Sequence, residues 1–412
     1  MGIVKYPAIH MYWSRDTFFR NAFVGKVMPR NRFQLLLRFI HFADEDILPK
    51  HRLSKVIQLL EIMEKNFMGA KIPGEMLVVD ETMVPWRGRL VFRQYSPGKS
   101  HKYGVKLYKL CDPYGYTYTS SIYCGKDISS INRGRPTPGV SHSTRIVLDL
   151  AEAYLDKGRT IITDNFYTSI ALANELMKRQ THLLGTLRTN RVGNPTAVTT
   201  AKLKKNETIG RECTGVVVAK WMDKREVLML STKHNLTENH TGKKNRNNEE
   251  IKKPQMIIDY NTGKQGIDLS DQMASYFSPL RKTIRWYHKI GFEYLLNTAV
   301  VNSLILYKEV KPKTKIDEFR KLICESLCQS TVSADDDIEI LPGPSQGHKL
   351  ETYSIRDKRN RLVRKRCIEC YRKIKNNESR NDAMKKTKKI STFCNGCEGN
   401  PPLCLECFQQ MH

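Results

Sequence analysis

The chain has 412 residues, 40% hydrophobic and 27% charged, with a formal net charge of +27. That length allows two or three domains with a sizeable core, and the ordinary apolar fraction excludes wholesale disorder. So large a cation excess points to a polyanionic partner, nucleic acid first; a plain basic enzyme or a ribosome-associated protein is the blander reading.

Residues 1–74 read as helical. Phe33, Leu36, Leu37 and Ile40 follow Pro29 at i, i+3, i+4 and i+7, and Val56, Leu59, Leu60 and Met63 repeat the pattern. Both stripes need a covering surface. Trp13 precedes them without an obvious cap or repeat. No signal peptide is visible in residues 1–19. The longest apolar stretch, residues 295–307, is broken by Asn297 and Asn302 and is too short for a bilayer. A cytosolic or nuclear chain without a membrane partner is the expectation, and its thiols should stay reduced.

Residues 76–124 are strand-rich. Leu77-Val78-Val79-Asp80-Glu81-Thr82 runs three apolar residues into an acid, as a buried strand does where it surfaces at a site. Stretches at 90–95, 105–111 and 116–123 follow, separated by Ser96-Pro97-Gly98 and Asp112-Pro113-Tyr114-Gly115, which predicts an antiparallel meander. An amphipathic helix is expected over 144–155, then a strand Thr160-Ile161-Ile162-Thr163-Asp164-Asn165 and a helix over 171–178. The order β-β-β-α-β-α is that of an RNase H-like fold, an α/β architecture in which acids from the first and fourth strands meet a third acid from a later helix. Residues 189–260 interrupt it with strands at 215–219 and 226–231, read as isolated, and a polar stretch at 235–253, an insertion with a mobile loop. Gly266-Ile267-Asp268-Leu269-Ser270-Asp271 then sets two acids three apart, on one face of a helix, and residues 291–307 resume as a long helix.

Carboxylates gathered without counter-charge repel one another and become stable around divalent cations. Asp80, Asp164 and Asp268 are therefore expected to converge on a metal site with Asp271 beside them. Each also has a bland reading: a strand-end turn for Asp80, a helix cap for Asp164-Asn165, a helix-start acid pair for Asp268 and Asp271. Glu81, next along the strand, is expected to face away from Asp80. Lys99, His101, Lys102 and Lys106 form a basic group near the presumed site, touching phosphates or merely solvated.

Residues 330–347 form an acidic Pro/Gly/Ser linker, and 356–366 a basic run that is a solvated linker, a nuclear localisation signal or a DNA-backbone contact. The C-terminal stretch carries Cys367-x-x-Cys370, Cys394-x-x-Cys397, Cys404-x-x-Cys407 and His412. CxxC lets two thiolates reach one tetrahedral zinc, so these seven residues are expected to bind one or two Zn²⁺ ions. An interleaved two-zinc arrangement requires an eighth ligand that the spacing does not reveal. Cys111, Cys124, Cys213, Cys324 and Cys328 are scattered and read as core.

Three blocks carry a resemblance. VDETMVPWRGRLVFRQYSPGKSHKYGVKLYKLCD, TDNFYTSIALANEL and YNTGKQGIDLSDQMASYFSPLRKTIRWYHKIGFEYLLNTAVVNSLILY resemble the catalytic blocks of piggyBac-family transposases, in order, and the terminal CxxC…FQQMH segment is similar to the family's Cys-rich zinc domain. The resemblance implies a helical dimerisation and DNA-binding domain split between 1–75 and 273–329. Between the halves lie an RNase H-like core at 76–189, an insertion at 190–256 and the last acids at 257–272. A linker with the basic run at 330–366 and a zinc domain at 367–412 complete it. It maps the family's catalytic acids onto Asp80, Asp164 and Asp268, with two Mg²⁺ ions, and the accessory acid onto Asp271. It implies a homodimer acting in the nucleus on double-stranded DNA with terminal inverted repeats and TTAA targets. The implied sequence is a nick at the transposon end, a hairpin on that end and joining at TTAA. The family's end-contacting tryptophan maps onto Trp286, among Arg281, Lys282 and Arg285, where it stacks on an unpaired base or packs as core. The long N-terminal region usual in the family is missing from this sequence. An active transposase, a host-adopted DNA-binding derivative, and a chromatin- or protein-reading zinc module on a transposase scaffold are the three readings carried forward.

Overall fold

The computed structural model describes residues 2–44, 51–99, 101–125, 139–244, 248, 250–333, 348–357, 360–376 and 378–411. It divides into two units, Met1–Leu327 and Cys328–His412.

The first unit opens with helices α1 (Ala22–Val27), α2 (Arg30–Phe39) and α3 (Ile57–Ala70). Trp13 anchors the segment before them, donating its indole N–H to the Met28 carbonyl (2.7 Å) and packing on Phe33. The two apolar stripes fare differently. α3 buries Leu60 and Phe67 against Val84, Val105 and Leu107 of the sheet. α2 buries none of its residues, and Phe33, Leu36 and Leu37 line an apolar cavity of about 580 Å³ with Phe292, Leu296 and Ile323.

The sheet follows: β1 (Met76–Pro85), β2 (Gln94–Tyr95), β3 (Tyr103–Cys111) and β4 (Thr117–Ile122). Then come α4 (His142–Ala151), β5 (Thr160–Thr163), α5 (Ile170–Lys178) and β6 (His182–Thr186). β3 pairs antiparallel with β1 and β4, whereas β1, β5 and β6 run parallel. The order β4-β3-β1-β5-β6 is the RNase H-like arrangement expected from the element order. Of the predicted strand at 90–95 only two residues pair.

β1 is covered on both faces, which is why it reads as a continuous apolar run. Leu77 and Val79 pack with Ile146 and Leu150 of α4 and Leu172 and Leu176 of α5. Val78 packs with Ile162 and Leu184 toward the opposite face, which is closed by α7 (Gln255–Gly263) and α8 (Gly266–Ser275) through Ile257 and Ile267.

Between β6 and α7 lie α6 (Thr196–Thr199), β7 (Thr208–Cys213), β8 (Val216–Met222), β9 (Glu226–Ser231) and the hairpin β10 (Glu238–Lys244) with β11 (Glu250–Pro254). The strands read as isolated are not: β7, β8 and β9 form a meander whose last strand pairs with β6, extending the main sheet to nine strands. The polar stretch read as a mobile loop contains the β10–β11 ladder.

A long helical run closes the unit. α9 (Trp286–Glu293) passes through a π-helical turn, Tyr294–Thr298, into α10 (Ala299–Val310), and α11 (Ile316–Ser333) follows. The run is long and apolar enough to cross a membrane, but it buries Glu293, Asn297 and Asn302 on protein partners, as a core helix does. Of the cysteines read as core, Cys111 and Cys124 are buried and Cys328 is half-buried, whereas Cys213, on the peripheral strand β7, and Cys324, on α11 beside the apolar cavity, are exposed. Hydrophobicity alone did not separate these two situations.

The second unit contains β12 (Leu350–Thr352), β13 (Lys365–Arg366), α12 (Ile368–Lys375), α13 (Arg380–Lys386), β14 (Lys389–Ile390), β15 (Thr392–Cys394) and α14 (Leu405–Met411). Two small ladders, β12 with β15 and β13 with β14, and the cysteine cluster form its core. The acidic linker segment at 334–347 lies outside the described residues.

Candidate functional site

The β1–β5 ladder ends at Val79↔Thr163, so Asp80 and Asp164 are the next residues of two neighbouring parallel strands. α8 approaches the same edge and offers Asp268 from its first turn. The three acids line one cavity of about 520 Å³, together with Val78, Thr163, Tyr260, Lys264 and Gln265. The structure therefore brings together the three acids singled out in the sequence.

Asp80, Asp164 and Asp268 make no ion pair among the described residues. Burial, reinforced by the neighbouring Glu81 charge, pushes the Asp80 carboxyl from the usual 3.8 up to about 8, against the backbone N–H of Glu81 donating to it (2.8 Å). Burial also raises Asp164, opposed first by the Phe166 N–H donating to its Oδ1 (2.9 Å). Holding both charged in a partly dry site favours a cation between them. Asp164 does not cap α5; Ser169 does, accepting from Leu172 N–H.

Glu81 departs in part from expectation. Its carboxyl lies within hydrogen-bonding reach of Asp80 and takes the Tyr167 hydroxyl (3.1 Å), with the Lys106 ammonium 3.9 Å away. Strand alternation still holds in that Glu81 does not line the cavity of the acids and meets Tyr167 and Lys106, while its carboxyl reaches back toward Asp80 beyond the point where β5 stops at Thr163.

Asp271 does not line the cavity. Its Oδ1 accepts from the Thr82 hydroxyl (2.7 Å) and the Lys109 ammonium (3.4 Å).

The basic candidates separate. Lys99 donates to the Glu81 carbonyl (3.2 Å), and its charge acts on Asp80; Lys102 and Lys282 are exposed. Arg281 donates to the Tyr6 carbonyl and lies over the Tyr12 ring, and Arg285 donates to the Arg38 carbonyl (2.6 Å). Both arginines thus tie the loop before α9 to the N-terminal segment. Trp286 opens α9 half-buried, edge-on to Phe92 at 5.2 Å. Arg188, which sequence reasoning missed, binds the Asn165 side chain (3.1 Å), and its charge acts on Asp164. It follows β6, the short strand that pattern reading also missed.

In the second unit Cys367, Cys370, Cys404 and Cys407 converge, and His348, Cys394 and Cys397 form a second group. The Cys370 sulfur is 3.7 Å from that of Cys404 and 3.5 Å from that of Cys407. A tetrahedral zinc with bonds of about 2.3 Å sets its sulfurs about 3.8 Å apart, so the thiol set fits such an ion. The outer CxxC pairs share one site and the middle pair the other, an interleaved arrangement. His348 Nδ1 lies 3.3 Å from the Cys394 sulfur and 3.4 Å from that of Cys397. No spacing motif marks it; the Leu350↔Cys394 pairing of β12 with β15 delivers it. His412 lies outside the described residues.

Comparison with known proteins identifies relatives of the chain. Residues 1–304 match the family described as Transposase IS4. PiggyBac transposable element-derived protein 3 of Homo sapiens is 27% identical over 341 residues, covering 79% of this chain and 56% of the relative. PiggyBac transposable element-derived protein 2, also of Homo sapiens, is 23% identical over 392 residues, covering 90% of this chain and 64% of the relative. The chain thus spans less than two thirds of these relatives' lengths. Among solved structures, the cryo-EM structure of a piggyBac transposase synaptic complex with hairpin DNA superposes with a TM-score of 0.68 at 24% identity, covering 98% of this chain and 85% of that one.

Proposed function

Because the chain belongs to the piggyBac-type transposases, the family described as Transposase IS4, we propose that it cleaves and joins DNA strands with Asp80, Asp164 and Asp268 as its catalytic carboxylates. The observation that carries this is the convergence of three acids without ion-pair partners among the described residues on one cavity, with burial raising the carboxyls of Asp80 and Asp164 above the usual carboxylate range. Such an all-oxygen donor set suits Mg²⁺, which would supply Lewis acidity for activating a hydroxyl and stabilising the leaving oxygen. Asp80, on the strand with the most support, fixes the position of the set; Asp164 and Asp268 complete it from either side. Lys99 and Arg188 bring positive charge to the rim, where a phosphate backbone enters.

The proposed substrate is duplex DNA with terminal inverted repeats flanked by TTAA, acted on in the nucleus by a homodimer. The net charge of +27 supports a nucleic-acid partner, and Trp286 with Lys282 is the proposed contact to the transposon end. The interleaved cysteine groups are proposed to hold structural Zn²⁺. A second reading, a host-adopted DNA-binding protein that no longer cuts, is favoured by the relatives' names, which describe transposable element-derived proteins.

The test is nicking of a labelled duplex carrying the terminal repeats and TTAA found at the chain's own genomic locus. Mg²⁺-dependent cleavage that is lost in Asp80→Asn, Asp164→Asn or Asp268→Asn, with end binding retained, supports the transposase. Cleavage that persists in Asp80→Asn or in EDTA refutes these roles. End binding without wild-type cleavage selects the second reading.

A further inference from the structure

A buried cation lies beside the three acids without lining their cavity. Lys109 of β3 is the cross-strand partner of Asp80, so its side chain leaves the sheet on the same face as those of Asp80 and Thr82. It is 1% exposed. Its ammonium and the Thr82 hydroxyl converge on one oxygen, Oδ1 of Asp271, at 3.4 and 2.7 Å. Asp271 lies one helical turn beyond Asp268 on α8. The Lys109 charge also acts on Glu293, which is buried at the end of α9 and accepts from the Asn297 amide (2.8 Å). Lys289 and Arg320 add positive charge around Glu293.

We propose that Lys109 is a positioning residue: by holding Asp271 against β1 and β3 it sets the rotation and height of α8, and so places Asp268 opposite Asp80 and Asp164. A buried ammonium is expensive to strand, so its carboxylates are held where they meet it. Asp271 is already engaged by two donors on the sheet face, which makes it the latch of α8 and leaves the cation site to the other three acids. The proposal rests on the reading of those acids as a divalent-metal site.

The test measures Mn²⁺ binding by the full chain without DNA, from the electron paramagnetic resonance of free Mn²⁺, alongside the Mg²⁺ concentration giving half-maximal cleavage. Lys109→Met should weaken Mn²⁺ binding and raise the Mg²⁺ requirement, each at least tenfold, with end-DNA affinity unchanged. Adding Asp271→Asn should cause no further loss, because both changes open the same latch. Thr82→Val, which removes only the neutral donor and threatens folding less, should shift both readouts in the same direction by about two- to fivefold. The proposal is overturned if Lys109→Met binds Mn²⁺ like the wild type, or if its metal and DNA affinities fall together in proportion to the unfolded fraction. It is equally overturned if Lys109→Met does not fold and Thr82→Val leaves metal binding unchanged. Failure of the underlying reading looks different: the wild-type chain, and Asp80→Asn with it, would then show no Mn²⁺ site at all.

Discussion

Replacing Asp80 by Asn should stabilise the metal-free protein while abolishing cleavage. Burial, with Glu81 beside it, pushes the Asp80 carboxyl from 3.8 up to about 8. Between about pH 4 and pH 8 the folded, metal-free chain keeps a proton there that the unfolded chain has released. Its contribution to stability is therefore complete below about pH 4, declines as pH rises, and is gone above about pH 8. At about 1.4 kcal/mol per pH unit, that span sets a ceiling of about 6 kcal/mol. Part of that ceiling is lost because water and side chains rearrange around a charged Asp80, so we expect Asn, which carries no charge and can donate to Glu81, to gain about 2–3 kcal/mol at pH 8. For a unit of this size that is a rise in melting temperature of about 3–6 °C. The assay is thermal unfolding of both proteins in EDTA from pH 5 to 8.5, repeated in saturating Mg²⁺. The advantage of Asn should grow with pH in EDTA and vanish or reverse with the metal. An Asn variant less stable than the wild type in EDTA at pH 8 would show that Asp80 is not an unpaired buried charge and would remove the electrostatic argument for a cation at this site.

Four further outcomes are expected. A strong chelator should unfold the C-terminal unit of the full chain, seen as rapid proteolysis beyond residue 348, because metal binding there supplies folding free energy; His348→Ala should lower bound zinc by about one ion per chain as measured by mass spectrometry. Trp286→Ala should weaken binding to end DNA by about 1–3 kcal/mol if the ring stacks on a base. Because the ring also packs on Phe92, a modest loss of thermal stability should accompany it, and unchanged affinity per folded molecule would reassign Trp286 to the core. Gly266→Ala should reduce cleavage and stability together, since its new Cβ would lie 2.3 Å from the Asp112 carbonyl oxygen and α8 must shift to admit it. Wild-type cleavage by that variant would show that the seating of Asp268 tolerates displacement.

What could be read from the sequence follows from the range of its signals. Asp80 and Asp164 were legible because each ends a β-branched run, and Asp268 because its helix start lies within a few residues of it. The meander β1-β3-β4 was legible from Pro and Gly turns. β6 was not, since a five-residue strand with three consecutive buried positions gives no period to read, and the partners of β7–β9 are set by tertiary pairing with β6, beyond any local window. The site's supporting contacts were hidden for the same reason: Asp271 meets Lys109 across 162 residues and Thr82 across 189. Alternation kept Glu81 out of the cavity but could not show that its carboxyl reaches back to act on Asp80, because that depends on side-chain conformation rather than strand period. His348 stands 46 residues from the Cys394 it joins, so only the folded ladder reveals it.

The interleaving of the two cysteine groups has a consequence for biosynthesis. As the chain emerges from the ribosome, His348, Cys367 and Cys370 appear first, and none has its complement. Cys394 and Cys397 join His348 next, while the first CxxC pair still waits for Cys404 and Cys407. A stop codon anywhere between residues 371 and 403 would therefore leave an open pair of thiols rather than a shorter but intact module. On the proposed zinc reading neither group can be completed by a shorter segment, so the unit is expected to be inherited, and transplanted, whole.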